Sequence, residues 1–72
     1  MTDWIKDVYS SNVATVGYDS EKKELYVTFS RTGQQYTYSG VPEQLAIDLS
    51  NAPSVTGMLN TEIKPYYGFR KG

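Results

Sequence analysis

The chain has 72 residues, with seven basic and eight acidic side chains and neither cysteine nor histidine. It therefore has no disulfide framework and no thiolate chemistry, and it lacks the commonest general base and zinc ligand. The formal net charge of −1 is far from the strongly basic balance of a protein that binds duplex DNA. Because no apolar run approaches the ~20 residues of a membrane span, and no signal-peptide pattern opens the sequence, we expect a soluble cytoplasmic protein.

The first half of the chain predicts β-structure. Residues 1–11 form a polar lead whose larger side chains are Trp4, Ile5, Val8 and Tyr9. Three segments then alternate apolar and polar residues with a period of two: NVATVGYD, LYVTFS and QYTYS. The charged stretch DSEKKE is typical of a solvated turn, and Gly33 can supply the next turn. We therefore predict a three-stranded antiparallel meander over residues 12–38.

The alternation also predicts which residues pair, because a slip of one residue would turn every side chain to the other face. A turn centred on Thr32-Gly33 places Phe29 opposite Tyr36 and Val27 opposite Tyr38. An even turn over residues 19–24 places Tyr18 opposite Leu25, Val16 opposite Val27 and Ala14 opposite Phe29. The inner face of the predicted meander carries these eight residues: Ala14, Val16, Tyr18, Leu25, Val27, Phe29, Tyr36 and Tyr38. The outer face carries Thr15, Thr28 and Thr37 in one cross-strand row beside Tyr26.

Two short helices are predicted over residues 42–63. Pro42 suits the first helical position, and VPEQLAIDLSN has an apolar stripe. Ser54 is a favourable N-cap for a second helix, which Gly57 weakens and Pro65 ends. The predicted fold is thus α+β: a three-stranded meander with two helices on one face. The aromatic and basic tail, residues 64–72, could add a short edge strand.

The ordered motifs SSNVATVGYD, LYVTF, YTYSGVP and G-x-L-N-x-x-I resemble the KTSC domain family over about residues 9–70. The family is named after its occurrence at the C-terminus of some lysyl-tRNA synthetases, and it also occurs as small stand-alone proteins in bacteria and phages. The resemblance implies one domain over the whole chain and a role in RNA binding, which has been suggested for the family. The family's Y-x-Y signature is Tyr36-Thr37-Tyr38 in this sequence. Many relatives have a basic residue where TGMLN has none, which argues against a basic surface on this helix.

Tyr36 and Tyr38 have two interpretations. Closely spaced aromatic rings on a sheet can stack on nucleotide bases. They can also be core residues whose hydroxyl groups reach the rim of the core. The predicted register places both rings beside Val27 and Phe29, under the helices, so we favour a structural role in the core.

The candidate binding residues are Tyr26, Lys64, Tyr66, Tyr67 and Arg70. Residues 61–72 have a net charge of +2, whereas residues 1–60 have −3. Cations among aromatic rings suit single-stranded nucleic acid, and they also suit a protein partner with an acidic patch. The third alternative is that the rings complete a small core while the cations stay solvated. Tyr26 is the one large ring of the predicted outer face.

No motif indicates catalysis, a metal or a cofactor. Asp19, Glu21 and Glu24 lack the loop length and the central glycine of an EF-hand, and Lys22 and Lys23 neutralise them. Without histidine or cysteine, no serine or threonine has a recognisable base, so we do not expect an enzyme. We expect a monomeric or weakly dimeric binding module for RNA or single-stranded nucleic acid. The alternative is a protein-interaction module of a phage or prophage protein.

Overall fold

The computed structural model describes residues 3–8 and 10–71, so Tyr9 and the outermost residues of the predicted lead and tail lie outside the described residues. An antiparallel sheet has five strands in chain order: β1 (Trp4–Asp7), β2 (Val13–Asp19), β3 (Glu24–Phe29), β4 (Gln35–Ser39) and β5 (Phe69–Lys71). Two helices lie between β4 and β5: α1 (Glu43–Ser50) and α2 (Val55–Met58). A π-helical turn, Leu59–Ile63, continues α2 directly.

The predicted three-stranded sheet is corrected to five strands. β5 is the short edge strand that the sequence allows the tail to form. The sequence predicts a polar lead where β1 lies, because Trp4–Asp7 is too short and too polar to show a period-two pattern. It is a strand because it pairs along β2, with Trp4 opposite Tyr18 and Lys6 opposite Val16.

The pairing of β2 with β3 confirms most of the predicted register. Tyr18 lies opposite Leu25, and Val16 lies opposite Val27. A β-bulge between Val13 and Thr15 changes the end of the ladder, so that Val13 rather than Ala14 lies opposite Phe29. The bulge adds one residue to β2 and directs Val13 into the core, where it is buried.

The predicted register of β3 with β4 is wrong by two residues. Tyr36 lies opposite Val27 and Tyr38 opposite Leu25, so Thr37 faces Tyr26 rather than Thr28. The reason is the loop, which closes when Phe29 donates its N–H to Gln34 O at 2.9 Å. Gly33, with φ of 69°, takes the last position of this loop instead of the turn centre. A shift of two preserves the faces, so both tyrosines still point inward.

Asp19 and Glu24 belong to strands rather than to the predicted solvated turn. They end β2 and begin β3 as a directly opposed pair, and they are 1% and 8% exposed. The carboxylate of Asp19 accepts the N–H groups of Glu21 and Lys22 at 3.0 and 3.3 Å. The turn itself is therefore residues 20–23, with Lys23 at a positive φ of 53°.

The helices pack on the inner face of the sheet. Pro42 is the N-cap of α1 rather than its first helical residue, and Ser54 caps α2 by accepting the N–H of Gly57 at 3.2 Å. Lys64 donates its N–H to Leu59 O at 2.9 Å, which is the i to i+5 bond of the π-helical turn. The buried core joins both layers and consists of Val13, Val16, Tyr18, Leu25, Val27, Tyr38, Val41, Ala46, Leu49, Val55, Leu59 and Ile63.

Candidate binding surface at the C-terminal edge

The strand β5 closes one side of the sheet, and its three residues are all exposed. Phe69 lies opposite Tyr38, and Lys71 lies opposite Tyr36. Together with the turn that precedes it, this strand forms a surface that we call the C-terminal edge, residues 64–71. No described residue lies beyond β5 in the sheet, so its outer main-chain groups are open to a ligand.

Aromatic rings line the inner side of this edge. The ring of Phe69 is 5.3 Å from that of Tyr36 and 5.6 Å from that of Tyr38, measured between centroids. Tyr36 also meets Phe29 edge-on at 5.1 Å. The three rings differ in burial: Tyr38 is fully buried, Tyr36 is partly buried and Phe69 is 59% exposed. The two tyrosines of the Y-x-Y signature therefore pack against Phe69, whose ring remains exposed at the surface.

The outer side of the edge is organised around the carboxylate of Glu24. Arg70 donates to Glu24 at 2.9 Å, and the Tyr26 hydroxyl donates to the second carboxylate oxygen at 3.0 Å. Burial alone would raise the pKa of Glu24, but these hydrogen bonds, with the charges of Arg70 and Lys22, bring it below its ordinary value. Burial and the bond to Glu24 raise the pKa of the Tyr26 hydroxyl. Arg70 thus has a carboxylate partner on the protein itself.

The turn before β5 separates the remaining candidate residues. Tyr66 and Tyr67 both donate their N–H groups to Ile63 O, at 3.1 and 2.9 Å, so the chain turns sharply after the π-helical segment. As a result Tyr67 packs against the core, while Tyr66 is 72% exposed and Lys64 is also exposed.

The five predicted binding residues therefore divide between two places. Tyr26 and Arg70 meet on the outer sheet face through Glu24, whereas Lys64 and Tyr66 lie at the turn and Tyr67 is half-buried. Phe69 and Lys71 complete the edge. Both lie in the tail that the sequence singled out, but neither was chosen, because only the strand pairing shows which tail side chains stay exposed.

The described residues offer little support for a metal or an enclosed ligand. Among them, no group of three carboxylate, histidine or cysteine side chains could hold a metal ion. The same part of the chain contains no ligand-sized pocket. Its helices are all too short or too polar to cross a membrane.

Comparisons with known proteins identify the chain's relatives. The family model described as the KTSC domain matches residues 9–67. The crystal structure of a KTSC domain protein from Yersinia pestis is similar, with a TM-score of 0.87 and 30% sequence identity over 96% of each chain. No curated protein matches the sequence. The resemblance found in the sequence motifs is confirmed.

Proposed function

This chain belongs to the KTSC domain family, and from that premise we propose that it is a small non-catalytic cytoplasmic module that binds a bacterial or phage protein through its C-terminal edge. The observation that carries the proposal is the exposure of β5. It is a three-residue edge strand with an exposed aromatic residue, Phe69, and nothing described beyond it. Edge strands are sites at which extended segments of other proteins add to a sheet.

The charge distribution supports a protein partner over nucleic acid. Arg70 is bonded to Glu24, so the pair adds no net positive charge for a phosphate backbone, although the arginine keeps N–H groups that can donate to a single carboxylate. The net charge of −1 points the same way.

The proposal is tested by site-specific photocrosslinking in lysate of the source cells. A photoreactive amino acid at position 71 is compared with one at Gln44, an exposed residue of α1. We expect discrete protein adducts from position 71 that excess unmodified protein suppresses, and no such adducts from position 44. Equal labelling from both positions, or labelling that the competitor does not reduce, would contradict a specific site at β5.

Single-stranded RNA is the second candidate, and a specific observation favours it. Tyr66 and Phe69 expose their rings at the same edge where Lys64 and Lys71 are exposed. Exposed rings beside cations can stack on bases and neutralise phosphates.

A titration of labelled single-stranded RNA at low and moderate salt tests this candidate. If RNA binds at this edge, its affinity should fall as the salt concentration rises, and Lys71→Glu should reduce the affinity. Each lost phosphate contact should lower the slope of log affinity against log salt concentration by about one. Lys6→Glu, on the opposite edge of the sheet, is the matched control. If RNA does not bind at low salt, or if both variants lose affinity equally, the RNA candidate is wrong.

A further inference from the structure

We propose that β5 accepts an extended, acidic segment of a partner protein as a sixth strand of the sheet. This inference rests on the proposed function and adds the chemistry of the partner. The segment would carry two adjacent acidic residues, which point to opposite faces of a strand, next to apolar residues, and it would bind as a strand rather than as a folded surface. The backbone of β5, its charges and its poor fit to a second copy support this assignment.

The main chain of β5 presents hydrogen-bonding groups at the free edge. Ser39 donates its N–H to Gly68 O at 3.1 Å, and the two residues stand opposite each other in the continued β4–β5 register. Directly opposed pairs in an antiparallel ladder are alternately hydrogen-bonded and non-bonded. Arg70 therefore directs its N–H and C=O toward β4, and Phe69 and Lys71 direct theirs outward. A strand added at this edge can exchange hydrogen bonds with both residues.

The side chains of β5 place one positive charge on each face of the sheet. Lys71 lies on the inner side and Arg70 on the outer side, and residues 64–71 include no acid. Arg70 contacts Glu24 through a single nitrogen, and its side chain is 58% exposed. Its other N–H groups can therefore meet a second carboxylate. An added strand with two adjacent acidic residues, one on each face, matches this pattern, and Phe69 offers an apolar contact beside them.

A second copy of the chain matches β5 poorly. Full antiparallel overlap of two β5 strands places Arg70 directly opposite its own counterpart, and like charges in that position destabilise a sheet. The other edge differs, because β1 carries Lys6 and Asp7, which have opposite signs. The cations of β5 also discourage unselective pairing, a common protection of edge strands. The same positive charges that discourage neutral strands from pairing with β5 favour the pairing of acidic ones.

The test titrates three capped synthetic peptides, each about six residues long, into the isotope-labelled full chain. One peptide has two adjacent glutamates flanked by valines, the second has glutamine in place of glutamate, and the third is the glutamate peptide N-methylated on the edge that would face β5. We expect the glutamate peptide to shift the amide signals of Phe69 and Lys71 and to bind at least about tenfold more tightly than the glutamine peptide. N-methylation should abolish binding, because it removes the ladder hydrogen bonds.

Substitutions of Lys71, with a control at Lys6, test the assignment from the side of the protein. Lys71→Glu should weaken binding of the glutamate peptide by at least about tenfold, whereas Lys6→Glu, the same change on the opposite edge, should alter it less than about twofold. Lys71→Pro removes an outward N–H, so it should weaken binding more than Lys71→Ala does. Thermal unfolding of each variant verifies that the fold is retained.

The outcomes separate this inference from the proposed function. If the glutamine peptide binds at β5 as well as the glutamate peptide, β5 is a strand-binding edge but the acidic partner is wrong. If no peptide binds while the crosslinks from position 71 persist, a folded partner occupies the edge and the strand-addition inference is overturned. If neither peptides nor crosslinks are observed, both proposals fail. Glutamate-peptide binding that survives N-methylation would show a contact through side chains alone, and it would also overturn the added strand.

Discussion

Tyr18 and Tyr38 are both buried tyrosines of the inner sheet face, but their hydroxyl groups have different surroundings. The Tyr18 hydroxyl donates to Val41 O at 2.6 Å. The Tyr38 hydroxyl is buried without a hydrogen-bond partner among the described residues. Burial raises the pKa of both hydroxyls, with further contributions from nearby acidic groups for Tyr18 and from Tyr36 for Tyr38. Tyr38 therefore stabilises the core through its ring, whereas Tyr18 contributes both its ring and the hydrogen bond of its hydroxyl.

This difference predicts opposite effects of one conservative substitution. Tyr18→Phe should lower the free energy of unfolding by about 1–2 kcal/mol, because it leaves the buried Val41 carbonyl unpaired. Tyr38→Phe should be neutral or stabilise by up to about 1 kcal/mol, because it removes an unsatisfied hydroxyl. Tyr38→Ala should cost about 3–5 kcal/mol through the cavity it leaves. Urea unfolding measures all three, and a Tyr38→Ala protein of full stability would show that this ring is not part of the core.

The Glu24 site gives a prediction about pH. Glu24 has a pKa below its ordinary value in the folded chain, so its ionised form contributes stability above the unfolded pKa of about 4.3. That contribution is lost as the pH falls through the folded pKa. Arg70→Ala should raise the pKa of Glu24 and lower stability at pH ~7 by up to about 1 kcal/mol, a small value because solvent screens the half-exposed arginine.

The expected signature is a difference that depends on pH. The stability gap between wild type and Arg70→Ala, measured by urea unfolding, should narrow as the pH falls through the folded pKa of Glu24, because the protonated carboxyl no longer pairs with the arginine. Arg31→Ala removes an exposed arginine from the β3–β4 loop and should show no such pH dependence. A gap that stays constant from neutral to acidic pH would refute the role of the Glu24 carboxylate.

At the scale of elements, the sequence predicts which face of the sheet a residue lies on better than it predicts which residue it pairs with. The period-two pattern places Val27, Tyr36 and Tyr38 on the inner face because any even shift of register preserves the face. The exact pairing depends on the loop, where Gly33 can serve any position that needs a positive φ, so the pattern alone leaves a two-residue ambiguity. The bulge at Ala14 has no local signal either, because it is fixed by the packing of Val13. β1 has no pattern of its own and is specified by its pairing with β2.

The N-terminus of α2 predicts an exception to helix propensity. Glycine inside a helix usually costs about 1 kcal/mol relative to alanine. A Cβ added at Gly57, however, would lie 2.8 Å from the Ser54 Oγ that caps the helix. Gly57→Ala alone should therefore fail to stabilise the protein, because the new methyl group displaces the cap. In a Ser54→Ala background the same substitution should stabilise by up to about 1 kcal/mol.

A double-mutant cycle on these two residues measures the effect. The four proteins should show a coupling free energy of about 1 kcal/mol or more in urea unfolding, since the two side chains compete for the same space. Additive effects would mean that Gly57 is present for a reason other than the cap.

At the scale of the whole molecule, β1 and β5 are the two edges of the sheet, no described strand lies beyond either of them, and they differ in charge. The sequence identified the basic, aromatic tail but could not identify its binding residues, because exposure depends on contacts far apart in the chain. Arg70 and Glu24 are 46 positions apart in sequence and form an ion pair on the outer face. Phe69 is brought to the Y-x-Y tyrosines by β5 alone. These contacts at the edge therefore depend on the pairing of β5 with β4, which the sequence pattern does not show.

The same arrangement predicts that β5 keeps the chain monomeric. A chain that ends at Gly68 would retain the bond to Ser39 but expose the edge of β4, whose sequence QYTYS is β-prone and uncharged. Such edges pair readily with other copies. We expect the truncated chain to self-associate with increasing concentration in sedimentation velocity, while the full chain remains monomeric. As a control, Arg70→Ser with Lys71→Ser keeps β5 but removes its charges, and it should associate less than the truncated chain. A truncated protein that is folded by circular dichroism and monomeric at all concentrations would show that β5 has no protective role.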